Sequence, residues 1–196
     1  MNYEQGLRQC YKNTLFEIEK TDRAKKDIVG ESYENFRKLW ILSLGLDVAT
    51  TEEKKRFNKA LGGLYNADQY IVDPQSRNLL ALEEDKGHYV DKCFAGRFLH
   101  NVATVINHCK ANNIQVPYFI LSCPTNYKFD ELVGSHVNMY REDIAQVIDS
   151  KVLFFHSCDH GRTDRKKYLR EKKMPFMVEL ENVEKEKSFL ISLKEN

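Results

Sequence analysis

The sequence predicts an α/β fold, a mixed β-sheet core flanked by helices, and three observations carry that expectation. Two short apolar runs, Tyr70-Ile71-Val72 and residues 79–82, flank a turn cluster of Asp, Pro, Ser, Arg and Asn at 73–78, the pattern of a β-hairpin. Two further apolar runs, at 116–121 and 152–155, read as strands, and each follows a long segment of helical period. The order helix, hairpin, helix, strand, helix, strand builds a sheet covered by helices.

Each element has its own local justification. Residues 3–26 carry apolar side chains at 7, 11, 15, 16 and 18 and read as one or two helices. Residues 30–45 place apolar side chains at 33, 36, 39, 40 and 44, again a helical spacing, with Gly45 as the stop. Thr50 is an N-cap type followed by the first-turn acids Glu52 and Glu53, opening a helix through Leu61 that Gly62-Gly63 ends. A hairpin centred on Ser76 sets Val72 opposite Leu80, Tyr70 opposite Leu82 and Asp68 opposite Glu84. Residues 89–112 form an amphipathic helix with apolar positions 94, 98, 99, 102, 105, 106 and 109. The strand at 116–121 ends before a turn at Pro124, residues 130–150 are helical, and 176–196 hold a short apolar stretch and a charged helix or strand.

A chain of 196 residues, 42% hydrophobic and 11% aromatic, is long and apolar enough to bury one core, so a single domain is expected. No stretch approaches eighteen uninterrupted apolar residues and the first ten residues lack an apolar signal core, so a soluble, cytoplasmic protein without a membrane role is expected. The five cysteines at 10, 93, 109, 123 and 158 form no C-x-x-C pair, which excludes the common zinc and iron–sulfur frameworks and points to free, buried thiols. A net charge of +1 excludes a strongly basic nucleic-acid coat, while leaving room for a local positive surface.

The hairpin carries the chemistry. With Asp68 opposite Glu84, and with Glu84 and Lys86 two apart on one strand, alternation points two carboxylates and one ammonium to a common place. Mg²⁺ takes oxygen ligands and is usually held by one or two protein carboxylates, with water and substrate phosphate completing the octahedron. Asp68 and Glu84 are the candidate ligands, with the backbone carbonyl of Asp85 a further one. Lys86 is placed to stabilise the attacking hydroxide and the charge growing on a phosphate.

The pattern D-x(15)-E-x-K on a hairpin, with an apolar strand before the glutamate, resembles the PD-(D/E)XK nuclease superfamily, and within it the type II restriction endonucleases. Ala67 stands where that motif carries proline. The resemblance covers about residues 28–123, and residues 30–45 resemble the superfamily's first core helix, whose glutamate joins the metal site directly or through water. Glu34 is the candidate for that role, with Glu31 second. What the resemblance implies is a restriction-endonuclease-like core and a Mg²⁺-dependent endonuclease, Mn²⁺ able to substitute. It further implies a homodimer acting on double-stranded DNA and leaving a 5′-phosphate and a 3′-hydroxyl. The basic run after residue 156 supplies candidate DNA contacts, Arg162, Arg165, Lys166 and Lys167, since Arg and Lys neutralise phosphates.

Ordinary readings compete with these. An E-x-K triplet is usually a solvated surface, and Glu53-Lys54-Lys55 and Glu171-Lys172-Lys173 carry one without an apolar strand leading in. His156-Ser157-Cys158-Asp159-His160 has zinc-ligand types at a spacing that matches no common structural site, so a polar loop at a strand end is the expectation. His88 is either a phosphate contact or a strand cap. Alternative functions are a repair, junction-resolving or phage nuclease, an RNase, a catalytically silent nucleic-acid-binding module, and a structural or regulatory protein.

Overall fold

The computed structural model describes residues 1–21, 25–87, 92–125, 137–158 and 178–194. Six helices are seen among them: α1 (Tyr3–Lys20), α2 (Lys25–Ser43), α3 (Thr51–Ala60), α4 (Lys92–Ala111), α5 (Glu142–Lys151) and α6 (Leu180–Ser192). The five strands are β1 (Asp47–Val48), β2 (Gln69–Val72), β3 (Leu79–Asp85), β4 (Tyr118–Thr125) and β5 (Val152–Cys158). They form one sheet in sequence order, antiparallel from β1 to β3 and parallel from β3 to β5. The expected mixed sheet flanked by helices is therefore present.

Strand alternation sorts the sheet's side chains into two cores. Tyr70, Leu82, Phe119 and Leu121 pack with Phe98, Leu99 and Val102 of α4 and Ile144 and Ile148 of α5. Ile71, Ala81, Ile120 and Phe155 pack on the other face with α1, α2 and α6, through Leu7, Phe36, Trp40 and Leu190. α2 sits on that face because Tyr33, Phe36, Trp40 and Ile41 recur at helical spacing and are all buried. α3 begins as its sequence demands: Thr50 and Glu53 form a reciprocal capping box, satisfying two backbone donors the first turn leaves free.

Several boundaries differ from the sequence reading. Tyr70 does pair with Leu82, but Val72 pairs with Leu79 rather than Leu80, because the register shifts between Ile71 and Val72. The turn that follows holds Arg77 at φ 58°, and the Arg77 guanidinium ties the turn to α3 through Glu53 (2.7 Å) and to β1 through Asp47. The turn expected at Pro124 does not form, since β4 runs on to Thr125 and pairs with β5 as far as Cys158. The helix expected over 130–150 is shorter among the described residues: 138–141 are non-helical and α5 starts at Glu142.

Candidate active site

β2 and β3 bring Asp68, Glu84 and Lys86 together at one end of the hairpin. The Lys86 ammonium lies 2.8 Å from Glu84 Oε1 and 3.4 Å from Asp68 Oδ2, so one cation bridges two carboxylates. Asp68 Oδ2 also accepts the backbone N–H of Asp85 at 2.8 Å, which fixes the aspartate to the strand that carries the glutamate. The three side chains keep 24%, 14% and 22% of their surface in the order Asp68, Glu84, Lys86, so they are held by the fold yet reachable from solvent. Burial and the Asp68 charge raise the Glu84 carboxyl above its ordinary pKa, against the lowering effect of Lys86. Burial acts to lower the Lys86 ammonium, but Glu84 and Asp68 outweigh it and the net shift is upward.

Of the three, Lys86 also lines a groove of about 430 Å³ between the start of α2 and the end of β3, together with Asp27, Glu31, Glu34, Asp85 and Gly87. Both helix glutamates singled out from the sequence therefore face the same groove as Lys86. Burial first, and then the Asp68 charge, raises the Glu34 carboxyl, which ties Glu34 electrostatically to the hairpin. α2 approaches this closely because Gly87 has no side chain: a Cβ there would lie 2.5 Å from the Val29 carbonyl oxygen and 2.9 Å from Tyr33 Cβ. Gly87→Ala is expected to cost about 1–3 kcal/mol through overpacking, measured as a lower urea midpoint at unchanged slope.

Asp85 is turned away from the carboxylate pair. Its side chain is buried on the α2 face, where Gln69 Nε2 donates to Oδ2 at 3.3 Å and Arg37 Nε lies 3.8 Å from Oδ1. Gln69 also donates to the Glu34 carbonyl at 3.1 Å, so one amide ties α2 to the site strand. Beneath lies a buried ionic cluster: Arg37 Nε donates to Glu83 at 2.7 Å, and its two terminal nitrogens donate to both oxygens of Glu186 from α6. Trp40 Nε1 donates to Glu186 as well, at 3.1 Å. Glu83 and Asp85, the odd positions of β3, anchor the strand below, while Glu84 and Lys86 project above.

Two contributors escaped the sequence reading. Tyr65, buried just before β2, donates its phenol to Glu84 Oε2 at 3.0 Å. Lys54 of α3, read as part of a solvated triplet, is half-buried and donates to the Asp68 carbonyl at 2.7 Å. Tyr65 looks like an ordinary core aromatic in sequence, and Lys54 sits in a run of charged residues, so neither gives a local signal.

The Arg162, Arg165, Lys166, Lys167, Glu171 and His88 positions lie outside the described residues. Asp159 and His160 do too, whereas Cys158 is in the core with its thiol pushed up to about 12 by burial, unsuited to act as a thiolate ligand. Among the described residues, no three His, Cys, Asp or Glu side chains are grouped as a ready metal cage. The donor set still suits a hard cation that asks for one or two carboxylates and water, because Asp68 and Glu84 already share one positive charge. No helix among the described residues is long and apolar enough to cross a membrane. Comparison of the chain with family models, curated proteins and solved structures found no match.

Proposed function

We propose that this chain is a Mg²⁺-dependent endonuclease that hydrolyses phosphodiester bonds in double-stranded DNA, in the manner of a sequence-specific restriction enzyme. The observation that carries the reading is the convergence of Asp68, Glu84 and Lys86 at one hairpin end, with Lys86 also lining an open acidic groove. The choice of DNA, and of a homodimer, rests on the resemblance of the D-x(15)-E-x-K pattern and the preceding helix to restriction endonucleases.

Asp68 and Glu84 are the residues that would hold Mg²⁺, with the Asp85 carbonyl and Glu34 as additional oxygen donors. The bound ion supplies charge neutralisation and polarisation of the phosphate. Lys86 orients the attacking water and, as a cation beside the reacting phosphate, offsets the charge that grows on its oxygens. Glu34, on the opposite wall of the groove, limits the orientations open to that water. The water oxygen bonds to phosphorus as the bond to the 3′ oxygen breaks. One water proton ends on the 3′-hydroxyl and the other with the 5′-phosphate.

The test is incubation of wild type and Glu84→Ala with unmethylated phage DNA and Mg²⁺, read on a gel. Discrete fragments from wild type alone are the expected result. A smear lost in the variant assigns the same site to a non-specific nuclease. Equal cleavage by both chains, or none by either, overturns the reading.

A further inference from the structure

Glu84 is gripped from two sides, and the two grips differ in kind. Oε1 accepts from the Lys86 ammonium at 2.8 Å, while Oε2 accepts from the Tyr65 phenol at 3.0 Å. Lys86 is partly exposed and shared with Asp68, whereas Tyr65 is buried and built in. Its ring packs edge-on to Phe98 at 6.4 Å between centroids, and its carbonyl accepts the Tyr70 hydroxyl at 3.2 Å.

We propose that Tyr65 is a positioning residue that sets the divalent-cation affinity of the site by holding Glu84 through Oε2. The inference rests on the metal-dependent reading above. A cation held by Asp68 and Glu84 would displace the Lys86 ammonium, which sits on Oε1 and carries the same sign of charge. Tyr65 is neutral and bonded to the other oxygen, so its hydrogen bond would not oppose the cation. It is therefore the contact that keeps the glutamate's rotation fixed in both states. Groups that orient a ligand without touching the metal typically change its affinity 10–100-fold when removed.

The experiment is a Mn²⁺ titration of the full chain, followed by melting temperature, for wild type, Tyr65→Phe, Tyr70→Phe and Glu84→Ala. Phenylalanine keeps the ring and removes only the hydroxyl. The expected result is a melting temperature that rises with Mn²⁺ in wild type, a midpoint about 10–100-fold higher in Tyr65→Phe, and no rise in Glu84→Ala. Tyr70→Phe, which removes the hydroxyl bonded to the Tyr65 carbonyl but leaves the Tyr65–Glu84 bond, is expected to shift the midpoint less than Tyr65→Phe. A Tyr65→Phe chain that is less stable in chelator but keeps the wild-type midpoint has lost a structural contact only, and overturns the proposal while the metal site stands. Absence of any Mn²⁺ response in wild type overturns the metal reading and the proposal together.

Discussion

Replacing Arg37 with methionine is expected to cost about 3–5 kcal/mol of stability, because it leaves buried carboxylates without their counter-charge. Arg37 has no exposed surface and hydrogen-bonds both Glu83 and Glu186, with Asp85 close by. Three buried carboxyl groups around one cation cannot all ionise cheaply. Burial pushes the Glu186 carboxyl up to about 7 despite Arg37, and raises Asp85 well above its ordinary range, the charge of Glu83 adding to the effect.

The sign of the pH dependence follows. A carboxyl whose pKa is higher in the folded chain keeps its proton there after the unfolded chain has released it. Across the interval from 4.5 to about 7 the folded state thus binds more protons, and the Glu186 contribution to stability falls as pH rises. Without Arg37 the carboxyl groups lose the charge that most favours ionisation among the described residues, so the deficit of Arg37→Met grows from pH 5 to pH 8. Urea unfolding at the two pH values measures it. A variant as stable as wild type at pH 8 would show that the cluster is not what holds α2 and α6 to the sheet.

The second large effect is on catalysis. Asp68→Ala, Glu84→Ala and Lys86→Ala are each expected to lower the single-turnover cleavage rate by at least about 10²–10⁴-fold, the range lost when a group acting directly on the reacting centre is removed. The three losses should differ in origin. Asp68→Ala and Glu84→Ala remove oxygen donors, so they raise the Mg²⁺ requirement. Lys86→Ala leaves both donors and frees Glu84 Oε1, so metal uptake is kept while cleavage is lost. Duplex DNA binding in Ca²⁺, followed by gel shift, should survive in all three. Wild-type cleavage by any one of them removes that residue from the site.

Much of the site was legible because its geometry is local. The side-chain period of a strand is two, so Glu84 and Lys86 had to share a face, and the turn residues at 73–78 had to fold β3 back on β2. The capping box at Thr50 was readable for the same reason: donor and acceptor lie three residues apart. The register past Ile71 was not, nor was the left-handed conformation of Arg77, whose partners Glu53 and Asp47 lie in other elements. The Arg37–Glu186 pair joins residues 149 apart, and in sequence each is simply a charge on a helix.

From the sequence alone, then, came the mixed α/β class, the hairpin, and the meeting of Asp68, Glu84 and Lys86, since short-range periodicity and turn chemistry determine them. The tertiary structure alone decided that Arg37, Glu83, Asp85 and Glu186 form a buried ionic layer under the site, that Tyr65 and Lys54 brace its two carboxylate residues, and that Gly87 lets α2 bring Glu34 to the groove. Those roles depend on which distant elements exclude water from a given side chain, and burial of a polar group is a property of the assembled layers rather than of any local segment.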